Sequence, residues 1–115
     1  MLEEYSGDEI ASFIAKNTAE LMLDKRNTHG DAVENQEHIA EAWTWYLRGQ
    51  GYIDEDESID GGDVSRMMVL LKFSRACVGE YDLDHDRDAV GYSSIAAACE
   101  GQKDDGVLED IVSNE

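Results

Sequence analysis

The sequence predicts an all-α, four-helix bundle-like single domain, and three observations carry that prediction. No proline occurs in the 115 residues. Glycine-bearing or acidic breaks fall at 25–30, 49–62, 79–83 and 101–106 and leave four segments of helical length. Within those segments apolar residues recur at helical spacing. A chain of this length has room for one core, which gives a helical domain over 1–100 and an acidic tail or short helix over 101–115.

The first predicted helix, about 7–23, sets Ile10, Phe13, Ile14, Ala15, Leu21 and Met22 on one side, with Asp8 and Glu9 at its positive end. The second, about 31–47, carries Ile39, Ala40, Trp43, Tyr46 and Leu47 opposite Glu34, Glu37, His38 and Glu41. The third, about 61–78, is apolar nearly all round and is expected to be the buried spine of the bundle. The fourth, about 84–99, is small on one face through Ala89, Ala96 and Ala97, which lets a neighbouring helix approach closely. Val107, Leu108, Ile111 and Val112 form a weak helical pattern in the tail.

Charge bounds the partners. With 27 Asp and Glu against 9 Lys and Arg, the formal net charge is -18, and a compact chain repels itself in dilute buffer. At molar salt the Debye length falls to about 3 Å, so the composition points to a high-salt, haloarchaeal-type cytoplasm. No Lys/Arg stripe exists to neutralise duplex nucleic acid, and no apolar run approaches the roughly 20 residues that span a bilayer. Cys77 and Cys99 both sit among apolar neighbours, where packing is the expected role.

The chemistry-bearing residues concentrate in three places. Lys72 and Arg75 interrupt the apolar third helix, where buried cations need anions. Asp82, Asp84, Asp86 and Asp88 follow at once, and Asp84 with Asp88 share a helix face. One reading is structural ion pairs. The other has the cations on a bound phosphate and the carboxylates on Mg²⁺ or Mn²⁺, which favour hard oxygen ligands. The run lacks the sixth-position glycine and closing glutamate of a calcium loop. In R-N-T-H-G-D, Asp31 either caps the second helix or, with His29, helps cradle an anion at its free amides. Glu34 with His38, or Glu37 with Glu41, can share a ligand by spacing, Asn35 lies beside them, and Tyr92 offers a face for stacking on a base. Nucleophile-elbow, C-x-x-C, G-x-G-x-x-G and Walker signatures are absent.

Taken in order, T-H-G-D-A-V-E-N-x-x-x-I-A-x-A-W-x-x-Y-L, D-V-x-x-M-M-V-L-L-K-x-x-R and D-x-x-x-D-A-V-G-Y resemble a DUF6378-like family of small tailed-virus and prophage proteins of unknown function. More distantly they resemble nucleotide-modification-associated and MazG-like all-α nucleoside triphosphate pyrophosphohydrolases. That resemblance implies a MazG-like fold and a virus-encoded, Mg²⁺-dependent enzyme acting on (d)NTP pools, with Mn²⁺ as the alternative ion. It assigns Glu34, Glu37, Asp84 and Asp88 to metal, Glu34, Lys72 and Arg75 to catalysis, and His29, Asn35, Lys72, Arg75 and Tyr92 to substrate. It departs from the MazG-like pattern at the fourth helix, where D-x-x-x-D replaces E-x-x-D. A homodimer is expected from the broad apolar third helix. The competing expectation is a non-enzymatic viral interaction or virion protein whose acids serve solvation alone.

Overall fold

Residues 4–113 are described in the computed structural model, all but 26–29 with their side chains. The described chain is entirely helical, with α1 (Gly7–His29), α2 (Ala32–Gly49), α3 (Gly61–Ala76), α4 (Leu83–Lys103) and α5 (Asp105–Val112). Each predicted break holds, or is followed at once by, an aspartate that caps a helix, and Ser6 does the same ahead of the first helix. Ser6 and Glu9 form a reciprocal box at the start of α1, the Glu9 amide donating to Ser6 Oγ at 3.1 Å and the Ser6 amide to Glu9 Oε1 at 3.3 Å. Asp31, Asp60, Asp82 and Asp104 cap the other four helices by accepting amides of the first turn. The first break is shorter than expected. Nothing in Lys25–His29 stops a helix, so α1 continues until Gly30, whose φ of 79° ends it in the left-handed conformation.

Antiparallel α3 and α4 form the centre. Lys103 bonds Asp60, Arg66 meets Glu100 at 3.4 Å and Lys72 meets Asp88 at 3.1 Å, three ties that fix their register from end to end. α2 packs on α3, also antiparallel, through a buried stripe of Gln36, Ala40 and Thr44. Gln36 Nε2 donates to Ser65 Oγ at 3.1 Å, and Ser65 Oγ donates to the Gly61 carbonyl at 2.8 Å. Thr44 Oγ1 accepts the Ile59 amide at 3.1 Å and so anchors the long α2–α3 loop. α1 lies against α4, and α5 folds back so that Leu108 and Ile111 cover Gly101. The tail is therefore a packed helix.

Glu37 and Gly61 make the tightest crossing. Glu37 Oε1 accepts the Gly61 amide at 3.0 Å, and a Cβ at Gly61 would lie 2.7 Å from that oxygen and 3.2 Å from the Glu37 backbone nitrogen. A side chain at position 61 would displace the Glu37 carboxylate and push the α2 backbone back by a few tenths of an ångström.

The apolar assignments need correction. The buried apolar residues are small: Ala40, Val64, Ala89, Ala96 and Cys99. α3 is no buried spine. Its first turns are enclosed, but Met67, Leu70, Leu71 and Phe73 are exposed, Leu70 to 65%. On α1 the enclosed line is Ile14, Thr18 and Met22, leaving Ile10, Phe13 and Leu21 outward, with Phe13 edge-on to Tyr5. Tyr46, expected in the core, is exposed, as are Cys77 and Ala97. The physical reason is common to all of these. Helical periodicity locates an apolar stripe, but which stripe is covered depends on where α4 lies.

Two outcomes follow from this frame. Gly61→Ala should lower stability by about 1–3 kcal/mol, the usual cost of overpacking, read as a fall in the denaturant midpoint, whereas Gly49→Ala, which meets open space, should not. The Lys103 ammonium and the Asp63 amide hold the Asp60 carboxyl below its ordinary value of 3.8. A depressed folded-state pKa stabilises above the ordinary value and loses that contribution as pH falls through the lower one. The stability advantage of wild type over Asp60→Asn should therefore shrink below about pH 3.8, in urea melts at stepped pH.

Candidate functional site

Two motifs distant in sequence meet along α4. The H-G-D-x-x-x-N segment enters α2 and the D-A-V-G-Y segment runs through α4; with the last turns of α1 they enclose a two-lobed cleft. One lobe, about 460 Å³, is bounded by Lys25, Gly30, Asp31, Asn35 and Tyr92. The other, about 210 Å³, is bounded by Thr18, Lys25, Arg87, Asp88 and Tyr92. Lys25 and Tyr92 line both. Local chemistry explains the shape. Gly30 turns the chain at positive φ, the Asp31 side chain takes the Glu34 amide at 3.1 Å, and Gly91 on α4 faces Met22 of α1.

The electrostatics single this cleft out. Its walls carry two cations, Lys25 and Arg87, and two carboxylates, Asp31 and Asp88. Asp88 is in turn neutralised by Lys72, whose side chain is only 13% exposed. In a chain of net charge -18, a cation-balanced concavity is the least hostile place for an anion. Arg87 sharpens this. Its guanidinium reaches Asp84 only at 3.6 Å, and its Nε is buried with no hydrogen-bond partner among the described residues. A buried donor left unsatisfied costs about 1–3 kcal/mol, which an incoming anion can recover.

A larger groove of about 600 Å³ runs between α2 and the 50–60 loop. Glu37, Glu41 and Glu55 line it, and its single cation, Arg48, donates through Nε to the Glu57 carbonyl at 2.8 Å. Three carboxylates around one committed arginine make it a poor site for phosphate.

The residues singled out from sequence are distributed as follows. Asn35, Tyr92 and Asp88 line the cleft, and Lys72 supports it through Asp88. Asp84 projects to solvent beside Arg87, its side chain 72% exposed. Glu37 faces the other way, on the Gly61 amide, and Glu34 is exposed in the first turn of α2. Arg75 is exposed near the end of α3, with no ion pair among the described residues. The His29 side chain lies outside the described residues. No three His, Cys, Asp or Glu side chains gather to hold a metal among the described residues. Lys25 and Arg87 are the residues that sequence reasoning passed over. Lys25 falls in an expected break, and Arg87 sits within the Asp-rich run D-L-D-H-D-R-D; a lone arginine among four aspartates is the available signal.

Comparison with known proteins places the chain in a phage context. Over 80 residues it is 35% identical to the Gene 55 protein of Mycobacterium phage L5, a match covering 68% of this chain and 47% of that relative. The chain thus spans about half the relative's length. No solved structure matches. Residues 13–100, from the second turn of α1 to the last turn of α4, match the family described as a domain of unknown function, DUF6378. Both signature segments of the cleft fall inside that match, and the chain belongs to the DUF6378 family.

Proposed function

We propose that this phage-related protein binds a nucleotide in the α1–α2–α4 cleft, with Lys25 and Arg87 on the phosphates and Tyr92 against the base or sugar. The observation that carries this reading is the buried, unpartnered Nε of Arg87 in a cation-balanced cleft of an otherwise acidic chain. Charge-assisted hydrogen bonds to phosphate are the strong ones, and the planar guanidinium suits them. Tyr92 is half-buried and borders both lobes, so one ring can contact a ligand spanning them. The resemblance to nucleotide-processing enzymes supports the same ligand class, and the expected setting is the nucleotide pool of an infected, salt-rich cell.

Cleavage of a (d)NTP with Mg²⁺ or Mn²⁺ is the finer expectation, and the described residues gather no set of three ligands for the metal. Asp88 is paired with Lys72, Glu37 accepts the Gly61 amide, and Asp84 projects to solvent. The proposed role is therefore binding.

Calorimetric titration with a dNTP panel in KCl should show saturable binding. Arg87→Ala and Lys25→Ala should each weaken it about 10-fold or more, the scale of one hydrogen bond to a charged group, while Arg48→Ala should leave it unchanged. Absence of binding, or equal loss in Arg48→Ala, contradicts the site. Pyrophosphate release with Mg²⁺ or Mn²⁺ that is lost in Asp88→Ala would show that the protein also cleaves its ligand.

A further inference from the structure

The exposed face of α3 asks for a partner. Met67, Leu70, Leu71 and Ser74 recur at i, i+3, i+4 and i+7, and Val78 continues the line just past the helix end. Met67, Leu70, Leu71 and Val78 are 44%, 65%, 39% and 75% exposed. The opposite side of the same helix, with Gly61, Ser65 and Lys72, is the side turned to α2 and α4. One chain thus covers only one side of α3 and leaves an apolar stripe exposed on the other, the kind of surface that marks an interaction site.

Size and charge identify the cover. A compact protein of 12.8 kDa exposes about 6,300 Å², whereas this chain exposes 8601 Å². The excess, about 2,300 Å² spread over the whole chain, leaves room for the roughly 800 Å² per partner that a standard interface covers. The radius of gyration agrees, at 16.7 Å against about 13 Å for a compact chain of this length. Residues 64–79 also form the longest stretch without Asp or Glu, in a chain where they make up 27 of 115 residues. Two copies of net charge -18 can approach closely only where such an acid-free face meets its like. The stripe is self-complementary as well. Paired antiparallel about the point between Leu70 and Leu71, each leucine meets the other's counterpart and the bulky Met67 meets the small Ser74.

We infer that the outer face of α3 is the contact surface for a second copy of this chain in a two-fold homodimer. No residue of α3 lines the ligand cleft, so assembly and ligand binding are separable.

Light scattering on the full chain should give a mass near twice 12.8 kDa. Dimerisation should strengthen as KCl rises from about 0.1 M to about 1 M, where the Debye length falls from about 10 Å to about 3 Å. Leu70→Glu should yield a monomer of unchanged helix content, and Tyr52→Ser, at an exposed loop residue, should remain dimeric. A wild-type monomer at molar salt, or a Leu70→Glu variant that dimerises as wild type does, overturns the inference. Wild-type protein provides a check that needs no variant. Met67 should become protected from peroxide as protein concentration rises, and equal oxidation at all concentrations also overturns it.

Discussion

Glu37 reaches from α2 to the Gly61 amide across a gap so narrow that a Cβ at position 61 would crowd the Glu37 carboxylate and backbone nitrogen. That crossing sets the angle at which α3 leaves the long loop, and α3 then sets α4 through ties at both of its ends, Lys103 with Asp60 and Lys72 with Asp88. Because α1 rests on α4, the position of the cleft at the far side of α4 is inherited from a contact at the start of α3. The energetics suit a scaffold of this kind. Its buried side chains are small, so helix order rests on caps, a few buried hydrogen bonds and close backbone approach at glycines more than on bulky apolar packing.

The acidic residues divide by physical task. Asp31, Asp60, Asp82 and Asp104 accept first-turn amides and complement the positive end of a helix. Asp88 neutralises Lys72 in a partly enclosed pair, and Glu37 is a packing element. The exposed remainder generates the long-range negative field. Against that field the cleft and the outer stripe of α3 stand out for opposite reasons, one because cations balance it and the other because acids are missing from it.

Much of the fold was legible in the sequence. The absence of proline, the glycine and aspartate punctuation and the four apolar segments located α2, α3 and α4 closely, since caps and stops are local chemistry. Burial was less legible. Leu70 and Phe73 read as core because they are apolar at helical spacing, yet only the placement of α4 decides which stripe is enclosed. In the site, Lys72 was legible as a cation interrupting an apolar helix, Asp88 as the partner of Asp84 on one helix face, and Asn35 and Tyr92 as polar and aromatic members of the signature segments. Lys25 and Arg87 were not, because their significance lies in sharing a cleft across helices far apart in sequence. Glu37, a plausible metal ligand by its spacing from Glu34, is turned inward to Gly61 by the same crossing that orders the bundle.

The α1–α2–α4 cleft is the proposed seat of a phosphate-bearing ligand. Backbone amide chemical shifts followed by NMR during titration with a deoxynucleoside triphosphate test that most directly. The largest changes should cluster on the residues around Thr18, Lys25, Asn35, Arg87 and Tyr92 that enclose the cleft. Changes centred on Glu41, Arg48 and Glu55 in the α2 groove, or no saturable changes at all, would contradict it.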